Sequence, residues 1–493
     1  MLFNSYAFLL VFLPAAYIAF YLAAPRSARL ANGLLALASL AFYGWWDWRY
    51  VPLLLASMLG NFFVATRLMQ AARAGAEQIG RRWLAAAIVA NLALLGVFKY
   101  ADFFLSSADA LGAQFPLLHL ALPLGISFFT FTQIAYLVDI RRGEVERLRF
   151  IDYALFVTYF PHLIAGPILH HREMMPQFAG PEMHRRNPHF LNVGLAIFAC
   201  GLAKKTLIAD ALAPYADAIF SAAALATPLK PWEAWGGALA YSFQLYFDFS
   251  GYSDMAVGLS LLFGVRLPVN FLSPYKAVNI IDFWRRWHIT LSRFLRDYLY
   301  IPLGGNRQGK ERRYVNLMLT MLLGGLWHGA AWTYVAWGGL HGLYLVANHG
   351  WRATCAGHPR LARVFAGWRG IALTFFFVVL AWVFFRAPTF AAAAHMLSAM
   401  FGLSPVPVAR ATPDENWLRG ALLLLIFALV AWRAPNVSEI FLGEKPVLES
   451  AQLCAPQRLA WRNGWAGVIC AGLLLAAGVL TFHRNSPFLY FQF

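Results

Sequence analysis

Repeated runs of about 20 apolar residues constrain this chain more than any other feature of its sequence. About 17–25 apolar residues is the length at which an α-helix crosses the hydrocarbon core of a bilayer. Hydrophobic residues occupy 60% of the 493 positions and charged residues 13%, whereas soluble domains are about 45–50% apolar and about 25% charged. The candidate spans lie near residues 2–24, 31–46, 51–66, 83–105, 121–139, 190–213, 234–263, 314–349, 371–386, 417–433 and 464–482.

Two apolar segments depart from the pattern of one run for each crossing. Residues 314–349 are too long for one span, and the glycines on both sides of His328 predict a break between two helical segments there. Residues 150–168 are short and interrupted, which fits a re-entrant segment. We therefore predict an all-α, polytopic transmembrane helical bundle of about eleven spans, with re-entrant and interfacial helices, in a single membrane-embedded domain over residues 1–493. The loops 386–416 and 434–463 are predicted to be the longest irregular pieces, because neither shows a periodic core pattern.

Basic residues are concentrated in alternate loops, and this distribution predicts the orientation of the helices. Lys and Arg are enriched in the cytoplasmic loops of membrane proteins. The loops around Arg81, Arg286 and Arg363 are rich in arginine, whereas loops 106–120 and 214–231 contain one basic residue between them. The arginine-rich loops are therefore predicted to be cytoplasmic and both termini to lie outside. The same bias accounts for the net charge of +17 without a nucleic-acid partner.

Residues 276–313 combine regularly spaced aromatic and aliphatic side chains with interleaved arginines. This spacing predicts one amphipathic helix at the cytoplasmic interface, where its arginines can anchor lipid headgroups or contact an anionic ligand. The turn 302–307 contains Gly-Gly-Asn, which can bring backbone amides close to a phosphate but is also ordinary turn chemistry. The candidate anion-binding residues are Arg285, Arg286, Arg293, Asn306 and Arg307.

Two histidines are the candidate catalytic residues. His328 lies inside an otherwise apolar run, and an ionisable side chain at membrane depth is retained mainly where it has a function. Histidine can take a proton from a hydroxyl and return it near neutral pH. His288 lies on the apolar side of its segment, where a lone histidine is more often structural. His341, 13 residues after His328, is interpreted as a helix-face partner.

Charged side chains within other apolar runs predict ion pairs. Lys204 and Lys205 interrupt one run, and Asp248 and Asp254 interrupt another. Opposite charges in neighbouring helices are expected to pair, because an unpaired buried charge is strongly disfavoured. A proton pathway is the alternative, and it would require a longer chain of such groups. The histidines between residues 170 and 189 match no standard ligand spacing, so no metal site is predicted.

Several motifs are distributed almost from one end of the chain to the other. They are FYGWWD (42–47), PLGISFF (123–129), YFPHLIAGP (159–167), FDFSGYSD (247–254), DFWRRWH (282–288), RDYLYIPLGGNR (296–307), WHG (327–329) and FLYFQF (488–493). Each alone is weak, but together they resemble the membrane-bound O-acyltransferase family, in the bacterial branch that includes alginate O-acetyltransferase membrane subunits. In this resemblance His328 matches the near-invariant catalytic histidine and His288 the second family histidine.

The resemblance implies transfer of an acyl group across a bacterial inner membrane. The implied donor is a cytoplasmic thioester, acetyl-CoA, whose phosphates suit the basic segment 276–313, and no tightly bound cofactor is expected. The implied partners are membrane lipid, a periplasmic protein of the SGNH-hydrolase kind, and a polysaccharide such as alginate as final acceptor. A cytoplasmic donor would meet His288 first, so we expect His288 to position the thioester and His328 to transfer the proton. The sequence leaves open a second role for His328, in which it briefly carries the acyl group.

Three alternatives remain open from the sequence. The same chemistry could act on peptidoglycan or cellulose, because the motifs report the transfer step and not the glycan. A transporter or flippase for a lipid-linked glycan would also have many spans, and it predicts paired broken helices in two related halves, which the sequence does not display. A scaffold for an envelope complex would not require His328 at depth.

Overall fold

Helices form nearly all the regular structure of this chain. The structure is a computed structural model, and it describes residues 1–404, 415–449, 460–462, 464–482 and 488–489. Within these ranges no strand forms, and one isolated bridge joins Leu267 to Val447. Residues 490–493 of the last sequence motif lie outside the described residues.

Eleven α-helices precede residue 263, and π-helical turns link some of them into longer rods. The helices are α1 (Leu13–Ala23), α2 (Ala28–Gly44), α3 (Val51–Arg73), α4 (Glu77–Leu95), α5 (Ala101–Asp109), α6 (Ile126–Arg141), α7 (Phe150–Thr158), α8 (His171–Ala179), α9 (Pro188–Ala203), α10 (Asp210–Ala224) and α11 (Pro231–Leu262). The π-helical turns are Ala7–Phe12 before α1, Gly96–Tyr100 between α4 and α5, and Lys204–Ala209 between α9 and α10.

Ten α-helices follow within the described part of the chain. They are α12 (Ile280–Trp284), α13 (Ile289–Leu295), α14 (Gly309–His328), α15 (Trp332–Gly357), α16 (Pro359–Ala362), α17 (Trp368–Arg386), α18 (Phe390–Met400), α19 (Glu415–Arg433), α20 (Val437–Ile440) and α21 (Trp465–Leu480). The predicted break in the long apolar run is confirmed, because α14 ends at His328 and α15 begins at Trp332. The predicted interruption of 150–168 is also confirmed, since α7 ends at Thr158.

Several helices are suited to crossing a membrane. Four continuous helical segments of the described residues are long and apolar enough to do so, and they are Trp48–Arg73, Glu77–Asp109, Pro188–Ala224 and Trp368–Arg386. Three shorter apolar segments are Ala7–Ala23, Phe390–Met400 and Trp465–Leu480. The chain therefore has the character of a multi-pass helical membrane protein, and the count of about eleven spans stays a prediction.

Two predictions about local structure are wrong. The single amphipathic helix over 276–313 is instead broken into α12, α13 and a π-helical turn at Arg296–Tyr300, with irregular chain between them. The segment is not a surface helix, because the break turns a set of large apolar side chains into the protein. The buried ones include Phe283, Trp287, Leu291, Phe294 and Leu295. The segment 386–416 was expected to be irregular, but it contains α18, whose capping residue Thr389 accepts the Ala392 N–H.

Helix α11 forms the centre of the bundle and is buried on nearly every side. It crosses α9 closely at two glycine pairs, where a Cβ on Gly201 would lie 2.6 Å from the Gly251 carbonyl oxygen. Small residues allow such close helix contact in membrane proteins. The predicted charge pairing is confirmed beside this crossing. Lys204 pairs with Asp254, and Lys205 pairs with Asp248 and Asp210.

Helices α14 and α15 form a tight hairpin that carries His328 at its turn. A Cβ on Gly325 would lie 2.3 Å from the Tyr334 carbonyl oxygen, and one on Gly338 would lie 2.2 Å from the Met321 carbonyl oxygen. Real Cβ atoms do not approach backbone this closely, so these positions require glycine. The hairpin therefore fixes the end of α14 against α15, which determines where the His328 side chain points.

Candidate active site

His328 is the last residue of α14, and its side chain is 5% exposed. Three aromatic rings surround its imidazole, with centroids 4.9 Å away for Trp327, 5.1 Å for Trp337 and 5.3 Å for Phe385. The chain leaves α14 through Gly329 in an extended conformation, and a Cβ there would lie 2.1 Å from the Tyr334 ring. This turn places the imidazole in a buried, mainly aromatic surrounding, called the chamber below, which the rings of Trp327, Trp337 and Phe385 form.

His288 lies at the junction of α12 and α13 and is fully buried. Its φ of 42° falls in the left-handed region, which is unusual for a residue other than glycine and occurs often at functional sites. The Ile289 N–H donates to the Asn270 backbone carbonyl at 3.0 Å and stabilises this conformation. The break in the predicted amphipathic helix thus turns the His288 ring into the protein, with its centroid 4.8 Å from that of Phe249.

The side chain of Asn270 orients the His288 imidazole. Asn270 Oδ1 accepts from the Thr290 hydroxyl at 3.0 Å and from the Thr290 backbone N–H at 3.4 Å, so this atom is the amide oxygen. It lies 3.1 Å from His288 Nδ1, which must therefore carry the proton. The acceptor lone pair of the ring is then on Nε2. That atom has no hydrogen-bond partner among the described residues.

The two candidate histidines occupy one chamber. Their ring centroids are 6.3 Å apart, and the Trp327 ring contacts both imidazoles. The sequence placed His288 near the cytoplasmic face and His328 deeper, but the fold brings them together because α13 packs beside the end of α14. This geometry favours a joint role for the two histidines over the division of labour that the sequence suggested.

Lys99 and Tyr100 donate hydrogen bonds to the last backbone carbonyls of α14. Lys99 Nζ donates to the backbone carbonyls of Trp327 at 2.6 Å and His328 at 3.2 Å, while the Tyr100 hydroxyl donates to the Leu326 carbonyl at 2.9 Å. The last carbonyls of a helix have no partner within the helix, and a cation there also complements the helix dipole. The third ammonium proton points to Ser127 Oγ at 3.4 Å. Lys99 is therefore a positioning residue for His328.

We expect Lys99→Met to lower kcat for acyl transfer by about 10–100-fold with little change in the KM for the donor, because one charged hydrogen-bonding group is lost behind His328. Lys99→Arg should restore part of the activity. Lys276→Met is the matched control, since Lys276 Nζ donates to the Ala434 carbonyl at the end of α19 at 2.6 Å. Equal losses in Lys99→Met and Lys276→Met, measured in proteoliposomes, would contradict this role.

The predicted anion-binding residues are separated by the fold. Arg286 pairs with Asp282 at 2.9 Å. Arg293 bonds Glu173 and Glu449, and burial raises the pKa of the Glu173 carboxyl although the Arg293 guanidinium opposes the shift. Asn306 Oδ1 accepts from the Tyr300 hydroxyl, and Arg307 lies on an exposed turn.

Arg285 lines a large cavity. The cavity measures about 890 Å³ and lies between α12, α15 and α17. Arg352 of α15 supplies a second exposed guanidinium there, and Tyr344 and Asn348 of the same helix line its inner wall. Two cations at the mouth of a mainly apolar cavity suit a ligand that carries phosphate on an organic arm.

No three His, Cys, Asp or Glu side chains of the described residues are grouped as metal ligands. The histidines that were considered for a metal site have other partners. His171 Nδ1 lies 2.9 Å from Asp139 Oδ2, and His189 Nε2 lies 2.8 Å from Glu444 Oε2.

Sequence reasoning missed three residues of this site. Lys99 did carry a signal, because it interrupts the apolar run 83–105 as an intramembrane charge. Asn270 and Arg352 carried none, since an asparagine in a loop and an arginine in a basic segment are ordinary. Only the tertiary contacts assign them roles.

Comparison with known proteins identifies the family of this helical chain. The sequence model of the membrane-bound O-acyltransferase family matches residues 121–392, which is more than half of the chain and includes both histidines. The chain therefore belongs to the membrane-bound O-acyltransferase family. It is accordingly a membrane-embedded O-acyltransferase, as its sequence motifs predicted.

Similar proteins cover the whole chain. A "peptidoglycan O-acetyltransferase" of Helicobacter pylori is 42% identical over 100% of this chain and 98% of its own length. A "probable alginate O-acetylase" of Pseudomonas syringae pv. tomato is 44% identical, and one of Azotobacter vinelandii is 41% identical, each over 100% of both chains. The names of these relatives all refer to O-acetylation but give different acceptors.

Proposed function

We propose that this protein transfers an acetyl group from cytoplasmic acetyl-CoA to a sugar hydroxyl of a polysaccharide outside a bacterial inner membrane. The observation that carries the proposal is the pair of buried imidazoles, whose ring centroids are 6.3 Å apart, with His288 Nε2 lacking a hydrogen-bond partner among the described residues. A base of this kind is what a hydroxyl needs to attack a thioester carbonyl.

In the proposed reaction an imidazole takes the proton from the attacking hydroxyl and returns it to the leaving thiolate. The attacking hydroxyl transfers its proton to an imidazole as its oxygen bonds the acetyl carbon. The carbon–sulfur bond then breaks, and the thiolate takes the proton back from the imidazolium. We assign the proton transfer to His328, and His288 contributes the Nε2 lone pair as a hydrogen-bond acceptor in the same chamber. The aromatic walls exclude water, which limits hydrolysis of the thioester.

Helix α15 supports a route between the two membrane faces. Arg352 near its carboxyl end lines the cavity, whereas Trp332 at its amino end is half-exposed and follows the His328 turn. The 20 residues between them rise about 30 Å, which is the thickness of the hydrocarbon core. The donor would therefore enter at Arg285 and Arg352, and the acceptor would approach near Trp332.

The acceptor is proposed from the relatives. Those named for alginate and for peptidoglycan are about equally similar to this chain. Both names refer to a carbohydrate hydroxyl, so we propose that class, with an alginate-like exopolysaccharide first and peptidoglycan or cellulose as alternatives. Acetyl would reach the polymer through a periplasmic SGNH-hydrolase-like partner.

The side of the membrane from which the donor is used tests the proposal directly. We expect radiolabelled acetyl-CoA to label carbohydrate when it is supplied to inside-out membrane vesicles, and not when it is supplied to sealed right-side-out vesicles. Analysis of the labelled polymer then separates alginate, peptidoglycan and cellulose. Labelling only in right-side-out vesicles would reverse the donor side, and transport of unacetylated glycan would instead support a flippase.

Two exposed positions test the topology independently. In a cysteine-free background, Leu225→Cys should react with a membrane-impermeant thiol reagent in intact cells, because Leu225 is 80% exposed in a predicted outer loop. Arg363→Cys, in a predicted cytoplasmic loop, should react only after permeabilisation. Labelling of Arg363→Cys from outside would overturn the orientation.

A further inference from the structure

A group of buried polar atoms without partners lies between the cavity and His328. Among the described residues, neither ring nitrogen of His341 has a hydrogen-bond partner, and the same is true of Trp284 Nε1, Trp337 Nε1 and Asn348 Oδ1. His341 is fully buried. Buried polar groups in proteins are nearly always hydrogen-bonded, so several orphans in one place indicate a bound polar ligand.

These atoms follow one path. Asn348 and Tyr344 line the cavity, and His341 lies one turn of α15 further in, with its centroid 5.2 Å from that of Trp284. The Trp337 ring is 4.9 Å from His341 and 5.1 Å from His328. Residues spaced by three or four positions share a helix face, so one face of α15 leads from the cavity to the catalytic histidine.

The distance between Arg352 and His341 and the hydrogen-bonding capacity of the unpaired atoms indicate which ligand fits. Arg352 and His341 are 11 residues apart, which is about 16 Å along the helix axis. A hydrocarbon arm would leave these polar atoms unpaired, whereas a secondary amide has one N–H and one carbonyl. A neutral imidazole likewise has one donor and one acceptor. The pantetheine arm of coenzyme A carries two secondary amides between its phosphates and its thioester.

We propose that His341 binds an amide of the pantetheine arm and that this face of α15 guides the thioester to His328. This inference rests on the proposed thioester donor. It goes further by naming the pantetheine arm as the part of the donor that the protein recognises. Arg285 and Arg352 then contact the phosphates, the cavity wall accommodates the arm, and the acetyl group reaches the histidine pair. His341 is a binding residue and does not take part in proton transfer.

Three donors separate recognition of the arm from the reaction itself. Acetyl-CoA has phosphates and amides, acetyl-pantetheine has amides only, and S-ethyl thioacetate has neither. We expect His341→Leu to raise KM about tenfold for the first two donors and to leave kinetics with S-ethyl thioacetate unchanged, because one buried hydrogen bond is lost. Arg352→Gln should raise KM for acetyl-CoA alone. His341→Gln, which keeps a donor and an acceptor, should be less affected than His341→Leu.

Stability distinguishes this role from a structural one. His341 has no hydrogen bond to any described residue that the substitution would remove, so His341→Leu should melt at the wild-type temperature or above. His349→Leu is the matched control on the same helix, where the ring contacts Tyr314 of α14. Unchanged KM for acetyl-CoA in His341→Leu, or an equal effect with S-ethyl thioacetate, would overturn the inference. Wild-type protein that uses none of the three thioesters would instead refute the proposed donor.

Discussion

His328→Ala should lower acyl transfer by about 10²–10⁴-fold while the protein remains folded and inserted. The expected size is that of a general base removed from its reaction. The loss should appear in kcat and should not be rescued at high donor concentration, because a group that acts in the transition state affects turnover itself. The measurement is transfer from radiolabelled acetyl-CoA in proteoliposomes that contain the protein and a carbohydrate acceptor, across a donor titration.

The folded state of His328→Ala is checked by its abundance in the membrane and its melting temperature. His395→Ala is a suitable control, because His395 is partly exposed and contacts the Thr227 carbonyl away from the chamber. This control should retain full activity. Wild-type acetylation in His328→Ala at normal abundance would exclude this histidine as the base.

His288→Ala should cause a loss of comparable size, also independent of donor concentration. The physical reason is the shared chamber, in which Asn270 fixes the imidazole with its acceptor nitrogen available to substrate. If the two histidines act as one unit, the double variant should be no worse than the more damaged single variant. Asn270→Ala should reproduce part of the loss, because the ring would lose its orientation.

The competing expectation for His288 is a role in donor positioning. In that case His288→Ala would raise the donor KM and recover turnover at saturating acetyl-CoA, and the double variant would combine both defects. The same donor titration decides between the two roles. A full recovery of kcat would restore the division of labour that the sequence alone suggested.

Much of the helical architecture could be predicted from the sequence, because an apolar run long enough to cross a membrane nearly always forms a helix. The glycines beside His328 predicted the helix break there. The cost of an unpaired buried charge predicted that Lys204 and Lys205 pair with aspartates. The helix over 276–313 was mispredicted because its spacing is amphipathic, while His288 adopts a left-handed backbone that only tertiary contacts stabilise.

The candidate histidines were found from sequence because ionisable residues stand out among apolar ones. The sequence did not predict that the two histidines lie close together, because nothing in the local pattern places α13 against the end of α14. The same limit applies to the donor residues. Basic side chains were counted together in one segment, but Arg286 and Arg293 are occupied by carboxylates, and Arg352 comes from another helix.

The contact from Lys99 to the end of α14 has a consequence for where this enzyme begins as a working unit. The family match starts at residue 121, yet the ammonium that steadies His328 is supplied by residue 99. A fragment or chimera cut at the boundary of the family match would keep both histidines and lose their support. Exchange of segments between relatives should therefore keep the first hundred residues and the α14–α15 hairpin from the same parent.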